Sequence, residues 1–361
     1  MRYVICLAVS VLATQAHGQW NIQDSHTSVS LKSVHALSDR VAWVSGESGL
    51  VLHTNDGGLT WLPCVIPQAA EKLNFNGIQG LDENSAVVMS TGKGSLSRIY
   101  KTSDGCKTWK LVFTNPDDGG SFKGIRHVTG NQLYLLGDQV DGKIAMFYSS
   151  DGGGNWFSTN DPGLEAEKGE APFSNNGSLI SVGPFLMFAT KGPASFNLYQ
   201  TYPNCGSGAQ NAGGCPVAWS KTVVPLSIAN PDCIGLSIAA RSQLSMSTGN
   251  VQTILVVVGA SSTGIGFAVM SRDGGKSWKP AITGPGASRL AVGYFSSQGL
   301  WITVGPNGTD SSADDGQRWH ALEPASNEPK DAGQNWSALS FPFVVGDKGR
   351  IGKFNASALK K

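Results

Sequence analysis

Several sets of side chains in this 361-residue sequence are of types that can do chemistry. Asp56, Asp104, Asp151, Asp273 and Asp314 recur in one local frame, and carboxylates in turns can serve as general acids or calcium ligands. Arg126, Arg241, Arg289, Tyr294 and Glu170 are the types that hold a substrate carboxylate and cleave a glycoside: arginines for the anion, a Tyr–Glu pair as nucleophile, with an Asp as acid/base. Gly274-Gly275-Lys276-Ser277 imitates the end of a phosphate-binding loop. Cys64, Cys106, Cys205, Cys215 and Cys233 are thiols with a choice between metal binding, redox work and crosslinking.

Most of these readings fail on spacing. A phosphate loop needs a Gly where Met270 stands, so the Gly-Gly-Lys-Ser run belongs to something else. Neither a Cys-x-x-Cys nor a His-x-x-x-His pair is present, and His26, His35, His53, His127 and His320 are scattered singly, which argues against a zinc site. Without a Gly-x-Gly-x-x-Gly site or a haem attachment motif, no cofactor is expected. The balance of 27 basic against 26 acidic residues gives no field to attract a nucleic-acid backbone.

The five aspartates owe their frame to an internal repeat. Thr54-Asn-Asp56-Gly-Gly58-Leu-Thr60-Trp61, Thr102-Ser-Asp104-Gly-Cys106-Lys-Thr108-Trp109, Ser149-Ser-Asp151-Gly-Gly153-Gly-Asn155-Trp156 and Ser271-Arg-Asp273-Gly-Gly275-Lys-Ser277-Trp278 share one pattern, and Ser312-Ala-Asp314-Asp-Gly316-Gln-Arg-Trp319 is a looser copy. The period of roughly 41–48 residues suits one four-stranded blade per copy. A broken copy fills the long gap: Tyr199-Gln-Thr201 resembles its entry, Ala218-Trp219 its exit, and Cys205 and Cys215 bracket a Gly-rich insertion between them. A mechanical role follows for each loop, with Asp accepting loop N–H groups, Gly supplying positive φ and Trp burying its ring. A repeated mechanical element is a poor candidate for a unique activity.

The elements between the loops are short apolar runs separated by turns, as at Ser33-Val-His-Ala-Leu37, Val41-Ala-Trp-Val-Ser45 and Leu50-Val-Leu-His53. Forty-six Gly and 17 Pro, with charged residues at only 15% and ten Trp, fit a turn-rich all-β chain with little helix. Trp336-Ser-Ala-Leu339, Phe343-Val-Val-Gly346 and Arg350-Ile-Gly-Lys-Phe354 give three strands with no fourth, while Trp20-Asn-Ile-Gln23 is a fourth strand without a blade. Joining them closes the ring and removes two sheet edges. The expectation is an all-β, seven-bladed β-propeller spanning residues 19–361 as one domain, with six blades from 33 to 322 and one shared between the termini.

The frame resembles the Asp box of BNR-repeat propellers. The run from His35 through Ala42-Trp43-Val44 and Gly49-Leu-Val-Leu-His53 to Trp61 is similar to a repeat of the photosystem II stability/assembly-factor propellers. That resemblance implies exported seven-bladed proteins of the thylakoid lumen with many bacterial relatives, some labelled oxidoreductase or sialidase-like. It is carried by structural positions and so implies fold more than activity. This chain departs from it at Cys106, in the interrupted fourth loop and in lacking a strong basic patch. The sialidase alternative would use the Arg, Tyr and Glu set above, although that family's Arg-Ile-Pro motif and its six blades are not matched.

Residues 1–18 read as an export signal: Arg2, an apolar run from Val4 to Ala13, then Ala16-His17-Gly18 for cleavage. That run is too short to span a bilayer, and Cys6 lies inside it, so neither a membrane span nor a lipid anchor is expected. The location expected is periplasmic or extracellular. In an oxidising compartment Cys205 is expected to pair with Cys215 and Cys64 with Cys106, leaving Cys233 over. Cys106 takes a Gly position, where a side chain costs about 1–2 kcal/mol if φ is positive. Ligand contact is expected on the face opposite the repeat loops, with Arg98, Arg126, Asp138, Glu170 and Lys191 around a central channel. The preferred reading is a non-catalytic monomer that binds a protein or glycan there; a glycoside hydrolase acting on the same face is the alternative.

Overall fold

The computed structural model describes residues 19–159, 161, 163–192, 196–203, 217–224, 233–244, 251–261, 263–324 and 328–356. They form seven antiparallel sheets in a ring. Blade 1 runs through Leu31–Ala36, Ala42–Gly46, Val51–Thr54 and Leu62–Pro63; blade 2 begins at Asn74–Gly80, blade 3 at Phe122–Thr129 and blade 4 at Leu179–Val182. Blades 5, 6 and 7 begin at Cys233–Leu244, Ala291–Phe295 and Trp336–Ser340. Each of these first strands is the innermost. Blade 4 has a fifth strand, Ala171–Pro172, paired with Phe185–Lys191. Helix among the described residues is limited to three short 3-10 turns.

The last blade is completed by the N-terminus. Trp20–Gln23 pairs antiparallel with Ile351–Phe354, with Trp20 opposite Phe354 and Gln23 opposite Ile351.

Period-two alternation gives every blade two apolar faces, each of which must meet a neighbour. The core is accordingly a set of clusters between adjacent blades. Leu31, Val44 and Trp61 of blade 1 meet Phe343 and Ile351 of blade 7, and Trp43 meets Phe75 and Tyr100 of blade 2. The tryptophan that ends each repeat loop swings back onto the preceding blade: Trp156 joins Val87 and Met89, Trp278 joins Leu198, and Trp319 joins Val256 and Val258. Trp219, at the exit of the broken copy, packs with Leu136 and Met146 in the same way. Trp20 takes the corresponding place between blades 6 and 7.

Asp56 shows how the repeat loops are held. Its Oδ1 accepts the Thr60 N–H (3.0 Å) and the Thr54 hydroxyl (2.8 Å), and its Oδ2 accepts the Thr60 hydroxyl (2.6 Å). Asp104, Asp151 and Asp273 repeat this with Thr108, Asn155 and Ser277, and Asp314 does so with Arg318. These carboxylates are occupied by their own hairpins. Hydrogen bonding holds Asp56 at about 2, led by the Thr60 hydroxyl.

Cys64 and Cys106 form a disulfide. Cys106 has φ +60°, the left-handed region that a glycine adopts without cost. In three loops the tryptophan Nε1–H donates to the carbonyl at the equivalent position, Gly153, Gly275 or Gly316. The Cys106 carbonyl instead accepts from Val65 N–H, and Trp109 Nε1 is buried without a partner. Cys205 and Cys215 lie outside the described residues.

Candidate functional site

Antiparallel blades put the first-to-second and third-to-fourth turns on one face of the ring. Gly57 N–H donates to Arg40 O, Gly105 N–H to Asn84 O and Gly152 N–H to Asn131 O, tying these three repeat loops to the first turn of their blades. The second-to-third turns and the links between blades occupy the opposite face. Innermost strands therefore run from that opposite face, past the axis, to the repeat-loop face.

A cavity of about 220 Å³ lies on the axis, walled by all seven innermost strands. Its polar wall includes Ser33, His35, Gln79, Arg126 and Ser181. Arg126 Nε donates to Ser181 Oγ (3.2 Å), and burial lowers its pKa. His35 Nδ1 accepts the Gly80 N–H (3.0 Å), which leaves the proton of the neutral ring on Nε2. Burial first, then the charges of Arg126 and His127, pull His35 down to about 3. The ring is neutral at ordinary pH.

On the face opposite the repeat loops the channel opens into a mouth of about 440 Å³ lined by Lys32, Asn76, Phe173, Ser174, Asn175 and Lys191, among others. Lys32 pairs with Glu47 (3.0 Å) and Asp347 (3.7 Å). Beside the mouth, Lys123 bridges Asp138 (3.1 Å) and the Ser174 hydroxyl (3.1 Å). The charges are mixed and held in place by one another.

The five residues expected to surround the channel are not brought together. Arg126 lines the channel and Lys191 its mouth. Asp138 pairs with Lys123 and also borders a separate groove of about 270 Å³ in blade 3, with Asp117, Ile144 and Thr159. Arg98 lies on the outer part of that face, where it donates to the carbonyls of Ser95 and Ala69 and to Tyr100.

Glu170 corrects the sequence reading most clearly, because it is 1% exposed and faces inward. Its Oε1 accepts from Thr190, Asn197 and Tyr199, and its Oε2 from Lys221 (2.8 Å) and the Glu167 N–H (2.9 Å). Burial pushes its pKa up, but Lys221 and the hydrogen bonds outweigh this and hold it at about 2. Tyr199 is pushed the other way, by burial and by Glu170. This network fastens the long link before blade 4 to the blade that lost its repeat loop.

The glycoside-cleaving set is likewise dispersed. Arg289, 3% exposed, is paired with Asp310. Arg241 is bound to Asp315 (2.7 Å) and stacked over Tyr294 (5.3 Å). Arg126, Arg241 and Arg289 thus do not converge on one anion. No group of three or more His, Cys, Asp or Glu among the described residues is placed to hold a metal ion. No helix among the described residues is long and apolar enough to cross a membrane.

Residues 8–163 match the family model of the photosynthesis system II assembly factor YCF48. Among solved structures, YCF48 bound to D1 peptide aligns over 94% of this chain and 97% of its own, with TM-score 0.61 and 16% identity. The chain is a seven-bladed propeller, and its first half resembles the photosystem II assembly factors. YCF48 from Cyanidioschyzon merolae aligns over 94% of this chain and all of its own, with TM-score 0.58 and 17% identity. The photosystem II assembly lipoprotein Ycf48 of Synechococcus sp. (strain CC9902) is 26% identical over 184 residues, 51% of this chain and 46% of the relative. The aligned stretch thus spans about half the length of that curated relative. An ancestral GH74 enzyme shares the fold over 94% of this chain and 46% of its own, with TM-score 0.56 and 13% identity.

Of the residues in and beside the channel, Lys32, His35, Gln79, Lys123 and Ser181 were not picked out from the sequence. The available signal was their place on innermost strands, where a polar residue between apolar neighbours faces the axis.

Proposed function

We propose that the protein is an exported, non-catalytic propeller that binds a protein partner at the channel mouth and assists the assembly or stability of an envelope or membrane complex. The observation that carries this reading is the mouth itself: Lys32 and Lys191 line an opening that leads to Arg126, with the Lys123–Asp138 pair beside it. The solved YCF48 bound to D1 peptide, on the same fold, supports a peptide segment as ligand. The amino-terminal run through Ala13 and the Cys64–Cys106 crosslink support export to an oxidising compartment, periplasmic or extracellular. The protein acts as a monomer, its last blade completed by its own strand Trp20–Gln23.

Affinity capture from the exported fraction by the purified protein, read by mass spectrometry, tests this. One stoichiometric protein partner, lost with Lys32→Glu and Lys191→Glu and kept with Arg272→Glu on the repeat-loop face, is the expected result. Turnover of a glycan substrate in place of such capture overturns it.

A further inference from the structure

Five of the eight described arginines are ion-paired. Arg289 is matched by Asp310, Arg241 and Arg272 by Asp315, Arg318 by Asp314 and Arg350 by Asp331. Even Arg98, which has no carboxylate, donates to two backbone carbonyls. Arg126 lines the axial cavity and has no such match. Its Nε is used by Ser181 Oγ, and neither terminal nitrogen has a hydrogen-bond or ion-pair acceptor among the described residues. None of the described residues lining the axial cavity is Asp or Glu.

A guanidinium that faces a confined cavity with no carboxylate in its wall leaves its terminal donors to water or to an anion that enters. The cavity beside Arg126 is about 220 Å³, room for a group of several heavy atoms together with a water or two. The neighbouring donors suit the same ligand. His35 keeps its proton on Nε2, because Nδ1 is taken by Gly80. Ser340 Oγ lines the cavity and accepts the Ala36 N–H, so its own hydroxyl hydrogen is left to donate. A planar, two-oxygen acceptor matches a guanidinium fork better than a spherical ion does.

We infer that the axial channel contains a site for a single carboxylate, received by the terminal nitrogens of Arg126 and bordered by His35 and Ser340. The site lies toward the repeat-loop end of the channel, behind the mouth, and the inference deepens the partner-binding reading by naming the chemistry that reaches furthest in. The carboxylate can come from a peptide that enters through the mouth or from a free small acid; the chemistry of the site is the same.

The test is a titration of the full mature protein with sodium acetate at constant ionic strength, followed by NMR of the arginine Nε–Hε and histidine ring signals. The expected result is a saturable shift of the Arg126 and His35 signals, with the affinity reduced about tenfold or more in Arg126→Gln. An Arg126→Gln protein with unchanged circular dichroism and an equal or higher melting temperature confirms that the cation is not needed for folding. Absence of a saturable shift in the wild-type protein overturns the inference, as does an Arg126→Gln protein that binds acetate as tightly as wild type. Partner capture then separates the two readings. If acetate fails to bind while wild-type capture persists, the carboxylate site falls and the partner reading stands. If acetate binds and capture is lost with Arg126→Gln, the partner supplies the carboxylate; if capture survives, a free acid does.

Discussion

Trp20 stands opposite Phe354 in the strand pair that joins the two ends of the ring, with ring centroids 5.1 Å apart and an edge-on approach. Trp20 also packs against Trp336 and donates its Nε1–H to Thr309 Oγ1 (3.1 Å) in blade 6. One side chain therefore binds blade 7 to its neighbour and to its own last strand. Trp20→Ala is expected to lower stability by about 3–5 kcal/mol, the usual cost of emptying a buried aromatic site. Urea unfolding measures this, and deletion of Trp20–Gln23 should be more severe because it bares a sheet edge. An unchanged unfolding midpoint after the deletion contradicts the closure.

The Cys64–Cys106 crosslink spans a sequence separation of 42, for which loop-closure entropy gives roughly 2–4 kcal/mol. Cys64→Ala should lose that amount. In the uncrosslinked background, Cys106→Gly should be about 1 kcal/mol more stable than Cys106→Ala, because only glycine accepts φ +60° freely. Peptide mapping without reduction should find Cys64 joined to Cys106, and it also tests Cys205 with Cys215. Either residue of the first pair joined to Cys233 contradicts the assignment.

Glu170→Ala should cost about 3–5 kcal/mol, since it strands the buried tyrosine and amide and frees Lys221 from its partner. The pH dependence has a definite sign. The folded pKa, about 2, lies below the ordinary glutamate value, so the stabilisation is complete above roughly pH 4.5 and is lost as pH falls toward 2. Comparing denaturant midpoints of wild type and Glu170→Gln from pH 7 to 2 should show the two converging on the acid side. A constant gap contradicts this role.

His35 acts on stability in a higher window. Its folded pKa of about 3 lies below the ordinary 6.5, so the unfolded chain binds the proton first and stability falls as pH drops from about 6.5 toward 3. Nitrogen NMR should find the ring neutral at pH 5. A titration midpoint near 6.5 contradicts the burial and the nearby Arg126 charge.

Asp56→Ala should cost roughly 1–2 kcal/mol through the hydrogen bonds lost in its hairpin, and should leave partner binding intact in the folded fraction. Thermal unfolding and capture, run on the same sample, separate the two effects. Loss of capture by a fully folded Asp56→Ala protein contradicts a purely mechanical loop.

The blades, their number and the closure at Trp20 were legible because each rests on a repeated local need: a carboxylate for the hairpin, an indole for the cleft, alternation for two apolar faces. Glu170 was misread for the complementary reason. Blade 4 has lost its loop and gained the strand Ala171–Pro172, so nothing periodic marks which side chains of the preceding link turn inward. Arg98 lies at the correct face but on a third strand, far enough from the axis that backbone carbonyls satisfy it. His35, Gln79 and Ser181 are single polar positions on the innermost strands of different blades, and only ring closure makes them neighbours.

Binding is proposed to reside at the channel mouth, with the repeat loops serving only to fold the ring. Hydrogen–deuterium exchange of the protein alone and with its captured partner tests this most directly. Partner-dependent protection is expected at Lys32, Ser174, Asn175 and Lys191, with the hairpins at Thr54–Trp61 and Ser271–Trp278 unchanged. Protection confined to those hairpins, with the mouth exchanging as in the free protein, would contradict it.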